Sequence, residues 1–161
     1  MNAYEYAMKI EKEGEVFYRK LAKEAEQEGL SKIFTMLANE EVKHYKTFEK
    51  LSKNPDTIMA PKMEVFKEAR EFFSEMHKDS VAYCFSDQQI DFYRRAIKTE
   101  EKAYEMYLDK ANEITNIQHK EIFLKIADEE LKHKELLENI LEYVEKPSEW
   151  LENAEFRNIG A

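Results

Sequence analysis

Glu11, Glu41 and His44 recur as Glu100, Glu130 and His133, each pair separated by 89 residues. Laid over one another without a gap, residues 7–51 and 96–140 are identical at fourteen of 45 positions. Besides those three pairs the matches include Ala7/Ala96, Tyr18/Tyr107, Ala22/Ala111, Ile33/Ile122, Phe34/Phe123, Ala38/Ala127, Glu40/Glu129 and Lys43/Lys132. An internal repeat of this kind is one structural unit built twice, and it constrains the fold before any local propensity is weighed. Two copies of one carboxylate and imidazole set are most simply the two halves of one binuclear metal site.

The repeated unit reads as a helical hairpin. Ala7, Ile10, Gly14, Phe17, Leu21 and Ala25 keep helical spacing, and Glu28-Gly29 supplies a stop signal. A second helix begins near Leu30-Ser31, carries Ile33, Phe34, Leu37, Ala38, Glu41, His44 and Phe48 on one face, and ends before Asn54-Pro55. The second copy gives helices from about Asp87 to Ile114 and from about Ile117 to Glu145, stopping before Pro147. With three glycines, three prolines and 37% charged residues, the chain is expected to be all-α. Its 161 residues suit a single domain: hairpins at 2–53 and 87–145, a crossover at 54–86 and a tail at 146–161 that holds Trp150 and Phe156. The crossover has a helical pattern of its own from Lys62 to His77. It is long enough to span a helix of about 35 Å, at about 1.5 Å per residue, so the fold expected is a four-helix bundle whose second and third helices run parallel.

Helix geometry then sets the heights of the candidate ligands. Glu41 and His44 project from adjacent turns onto one face, as do Glu130 and His133. In an antiparallel hairpin, residues at equal height straddle the turn. The midpoint between Glu11 and the Glu41/His44 pair falls at about residue 27, and that of the second set at about residue 116, both at predicted turns. All six side chains therefore belong in one layer of the bundle. Four carboxylates there are neutralised by two divalent ions, and carboxylates with one imidazole per ion suit iron or manganese, with zinc allowed by its higher intrinsic affinity. The expected arrangement is two ions about 3.5–4 Å apart, His44 on one and His133 on the other.

The repeat also sorts the neighbouring side chains. Glu13 aligns with Lys102 and Glu15 with Tyr104, so neither belongs to the set. Glu24 and Glu113 do pair, but they lie 13 residues beyond the first ligand and read as solvated charges. His77 and His119 have no repeat partner and read as surface or crossover residues. Tyr18 and Tyr107, two turns beyond Glu11 and Glu100, either hydrogen-bond a ligand carboxylate or serve as ordinary core tyrosines. Glu40 and Glu129 either accept the free N–H of a ligand histidine from the facing helix or are solvated charges.

Composition narrows the setting. Cys84 is the single cysteine, which fits a reduced, cytoplasmic environment and excludes a four-cysteine iron or zinc centre within these residues. No uncharged stretch approaches 18 residues, and Met1 to Glu15 lacks the apolar run of a signal peptide. A net charge of −9 argues against a nucleic-acid partner.

Residues 7–18 and 96–107, together with N39-E-E-V-K-H44 and D128-E-E-L-K-H133, resemble the four helices of rubrerythrins, within the ferritin-like carboxylate proteins. The resemblance spans about residues 3 to 145 and implies a ferritin-like four-helix bundle. It implies a non-haem di-iron site that reacts with O2 or H2O2, bridged by Glu41 and Glu130, with the alternative of a ferroxidase or iron-storage role of the ferritin or bacterioferritin type. Full rubrerythrins add a rubredoxin-like domain for electron delivery, so an external donor such as a rubredoxin-like protein is expected, and the assembly expected is a homodimer. They also carry an extra glutamate where this chain has Ala103. The haem-ligand methionine of bacterioferritins is replaced by Val42, so no haem is expected there.

Overall fold

The computed structural model describes residues 1–56, 67, 69–71 and 85–145. Four long helices dominate: α1 (Ala3–Glu24), α2 (Glu28–Lys53), α3 (Asp87–Ala111) and α4 (Ile117–Glu145). No strand occurs among the described residues, and no described helix is long and apolar enough to cross a membrane. The pattern expected from Lys62 to His77 lies mostly outside the described residues, as do Cys84, His77 and the tail with Trp150 and Phe156. Of the crossover, Ala69 is buried in the core.

Local chemistry explains where the helices start. The Asn2 side chain accepts from the Glu5 backbone N–H at 2.9 Å while the Glu5 carboxylate accepts from the Asn2 N–H at 3.1 Å. Ser86 and Gln89 repeat this reciprocal cap on α3, at 3.2 and 2.9 Å. The first inter-helix break comes earlier than the Glu28-Gly29 signal suggests. Backbone turns at Ala25–Gln27, and Glu28 and Gly29 lie in the first turn of α2. Starting α2 there seats Leu30 fully in the core, puts Glu28 at the positive helix end, and lets the Ser31 hydroxyl donate to the Ala22 carbonyl at 2.7 Å. Likewise α3 ends at Ala111 rather than Ile114, because residues 112–114 tighten into i→i+3 hydrogen bonds.

Cross-bundle contacts fix the direction of each helix. Tyr18 reaches Glu100 while Tyr107 reaches Glu11, so α1 and α3 are antiparallel. His44 approaches Glu129 and Glu130 while His133 approaches Glu41, so α2 and α4 are antiparallel too. Since α1 and α2 form a tight hairpin, α2 and α3 run parallel and need a long connection, which is the ferritin-like topology.

The core is split into two apolar clusters. One gathers Ile33, Phe34 and Ala38 with Tyr93, Leu136 and Ile140; the other gathers Ile122, Phe123 and Ala127 with Phe48, Ala7 and Tyr107. Repeat-related residues therefore sit in opposite clusters, as an approximate two-fold axis across the bundle requires. The buried polar side chains of both halves meet between them.

Candidate metal centre

Glu11, Glu41, His44, Glu100, Glu130 and His133 are all at most 3% exposed. They form two overlapping quartets, Glu11/Glu41/His44/Glu130 and Glu41/Glu100/Glu130/His133, whose ligand atoms lie within 4.8 Å of one another. Glu41 and Glu130 belong to both. His44 Nδ1 is 2.8 Å from Glu130 Oε1 and 3.3 Å from Glu11 Oε2. His133 Nδ1 is 3.3 Å from Glu41 Oε1 and 3.5 Å from Glu100 Oε1. The imidazoles stack at 5.9 Å between centroids, 16° from coplanar.

These atoms are close without being hydrogen-bonded. Glu11 Oε2, Glu41 Oε1, Glu130 Oε1, His44 Nδ1 and His133 Nδ1 are all buried with no partner aligned for a hydrogen bond. Leaving so many buried polar atoms orphaned is costly unless something else satisfies them. Convergent carboxylate oxygens and imidazole nitrogens are the donor set of a cation pair, and the residues present fit it.

Electrostatics point the same way. Burial pushes the Glu11 carboxyl up, and the nearby Glu130 charge adds to it. Burial likewise holds Glu41 and Glu130 well above the usual carboxylate range, reinforced by Glu11 and Glu100 beside the first and by Glu100 and Glu41 beside the second. For Glu100, burial acts upward but is outweighed by the close approach of Glu130 and His133 and by the hydrogen bond from Tyr18, and the carboxyl is held low. Burial disfavours the charged imidazoles, yet the surrounding glutamates prevail and raise His44 and His133 well above their ordinary value. These shifts favour protons on the layer, and cations binding there would displace them.

A ring of supporting contacts orients the ligand set. The Tyr107 hydroxyl donates to Glu11 Oε1 at 2.6 Å, and the Tyr18 hydroxyl donates to Glu100. Both phenols are buried and held well above their usual range, first by burial and then by these carboxylates, so they remain donors. Glu129, 3% exposed, meets His44 Nε2 at 2.6 Å. Glu40 is equally buried, but its Oε1 accepts from Lys43 at 3.1 Å and His133 Nε2 has no partner among the described residues. Of the two open readings, the solvated charge is thus excluded for both glutamates, and the histidine contact is made by one.

His119 corrects the expectation of a surface residue. It is 3% exposed, its Nδ1 is 2.7 Å from the Tyr4 hydroxyl, and its Nε2 is 2.8 Å from the Pro55 carbonyl. It ties the start of α1 to the start of α4 and the end of α2, far from the ligand layer. Glu24 and Glu113 are exposed, as expected. Sequence reading missed Gly14, taken only as part of an apolar stripe. A Cβ on Gly14 would stand 2.7 Å from Glu41 Oε2, so the helix backbone passes directly against that carboxylate. The available signal was position, three residues after Glu11 and opposite the small Ala103 of the repeat.

The sequence pattern described as Rubrerythrin matches residues 2–80 and 91–158. The chain belongs to the rubrerythrin family. Comparison with curated proteins and with solved structures finds no match. Family membership and the two quartets together support di-iron oxidoreductase-type chemistry in general terms.

Proposed function

We propose that this rubrerythrin-family protein binds two iron ions and uses them to reduce H2O2 or O2. The observation that carries the reading is the pair of quartets sharing Glu41 and Glu130. Glu11 and His44 would hold one ion and Glu100 and His133 the other, with Glu41 and Glu130 available to both. When bound, a pair of Fe(II) ions would supply the two electrons that, with two protons, H2O2 needs to become two waters, and an external donor would have to restore them.

The protein's own part is positioning and exclusion. Tyr107 and Tyr18 fix the terminal carboxylates Glu11 and Glu100, and Glu129 fixes the tautomer of His44 so that Nδ1 faces the layer. The two apolar clusters close the layer above and below. Between α1 and α3 a cavity of about 20 Å³, lined by Gly14, Thr99 and Ala103, reaches Glu41, Glu100 and Glu130. That is room for about one molecule the size of water. A wider cleft of about 450 Å³ between α1 and α2, lined by Glu15, Tyr45 and Glu49, reaches Glu11 and Glu41.

The test is anaerobic loading with Fe(II) followed by H2O2 or O2. Two iron ions per chain and the near-ultraviolet absorption of a diferric pair are expected. Iron bound at full stoichiometry with unchanged absorbance after oxidant would defeat the redox assignment.

A further inference from the structure

The two halves match in their six converging side chains but differ in what stands behind the imidazoles. His44 Nε2 meets Glu129 Oε2 at 2.6 Å. The two-fold relation assigns the equivalent contact to His133 Nε2 and Glu40. Both His133 Nε2 and Glu40 Oε2 are instead buried without a hydrogen-bond partner among the described residues, and Glu40 Oε1 is paired with Lys43 Nζ at 3.1 Å. Burial does not explain this, since Glu40 and Glu129 are each 3% exposed.

The cause lies in what the two equivalent lysines find on their own helices. Lys132 pairs with Asp128, one turn back, at 3.5 Å, and so leaves Glu129 to His44. The position equivalent to Asp128 is Asn39, which carries no charge and whose Oδ1 accepts from Arg19 at 2.9 Å. Arg19 is itself unmatched, its counterpart being Leu108. With no acid one turn back, Lys43 takes the carboxylate three residues back, which is Glu40.

We infer that Asn39 and Lys43 make the two metal positions unequal, with the His133 position the weaker and more exchangeable. An imidazole whose remote N–H donates to a carboxylate is fixed in tautomer and orientation and is a more basic ligand. His44 has that support and His133 does not. The remaining support is matched, because Tyr18 and Tyr107 serve Glu100 and Glu11 alike, and Glu41 and Glu130 are common to both positions. Asn39 and Lys43 are therefore positioning residues acting through Glu40, and the inference rests on the two-metal reading above.

The test is anaerobic titration of metal-free protein with Co(II), read by visible absorption with a competing chelator. Wild type should fill in two steps whose affinities differ by about 10- to 100-fold. Lys43→Gln should free Glu40 for His133 and bring the two steps together by tightening the weaker one. Lys132→Gln, the same change at the equivalent position, should leave the split as it is, because Lys132 does not hold Glu129. Asp128→Asn should free Lys132 to take Glu129 and bring the steps together by weakening the tighter one. In Zn(II)-loaded protein, ring ¹⁵N spectra should show one slowly exchanging Nε2–H in wild type and two in Lys43→Gln. Two ions bound with equal affinity in wild type, or equal responses to Lys43→Gln and Lys132→Gln, would overturn the inference alone. Failure to bind two ions at all would overturn the two-metal reading with it.

Discussion

Replacing Gly14 by alanine sets helix propensity against ligand geometry, and the structure predicts that the two separate in one experiment. Glycine inside a helix is about 1 kcal/mol less favourable than alanine, so α1 gains by the change. The new Cβ would stand 2.7 Å from Glu41 Oε2 and 3.1 Å from its Cδ. Ordinary contact begins at 3.4 Å, so the carboxylate must retreat by about 0.7 Å, more than the about 0.5 Å within which a binding constellation has to be held. Without metal, Glu41 is the end of a flexible side chain and can swing aside at little cost. With metal it cannot, because it belongs to both quartets. A tenfold loss of affinity at each position is about 1.4 kcal/mol, or about 2.8 kcal/mol for two ions under excess metal. At about 2–4 °C per kcal/mol for a domain of this size, the metal-induced rise in Tm should shrink by about 6–11 °C. Calorimetry with and without excess Mn(II) measures both quantities. The metal-free variant should melt at or slightly above wild type, while Ala103→Gly should keep the full metal increment. A Gly14→Ala protein with an undiminished increment would refute the argument.

Protons and neighbouring contacts give three further expectations. Glu11, Glu41, Glu130, His44 and His133 are all raised on folding, so their stabilising contribution is complete below the unfolded values of 4.5 and 6.5 and is lost as pH rises through the folded ones; Glu100, held low, contributes in the opposite sense, its stabilisation being lost as pH falls. Metal-free protein should therefore weaken between pH 5 and pH 8 (roughly the range between carboxylate titration and neutrality) while the metal increment grows, and melts that become more stable with pH would contradict this. Tyr107→Phe removes the donor to Glu11 and should lower metal affinity by about tenfold or more in the Co(II) titration; an unchanged affinity would show that the phenol only fills space. His119→Ala breaks the contacts to Tyr4 and Pro55 and should cost about 1–3 kcal/mol in denaturant unfolding with two ions still bound, whereas loss of an ion would tie this histidine to the metal layer.

The bundle and its polar layer were legible because both rest on spacing. A three-residue E-x-x-H step and equal distances to the turn are properties of helices and hairpins, independent of distant contacts, and the repeat picked out which glutamates to count. His119 was not legible in this way, since its partners Tyr4 and Pro55 lie 115 and 64 residues away. Gly14 was read as one more apolar position because its effect is the absence of a Cβ against a side chain on another helix. The first turn was placed a few residues late because Gly29 signals a stop, yet the burial of Leu30 rewards an earlier start.

Identities between the halves locate the shared chemistry, and the mismatches locate where the halves part. Gly14 against Ala103 decides how near the backbone comes to a shared carboxylate. Asn39 against Asp128, with Arg19 against Leu108, decides which partner a lysine takes and so which glutamate is left for an imidazole. None of these residues belongs to either quartet, and Asn39, Arg19 and Asp128 are exposed. An exposed ion pair contributes little to stability, about 0–1 kcal/mol, so such exchanges are nearly free for the fold. Their effect falls instead on a buried hydrogen bond behind a ligand, where the consequences are larger. A duplicated site can in this way become unequal without altering any ligand, and comparison of the two halves should begin at the exposed neighbours of the E-x-x-H segments.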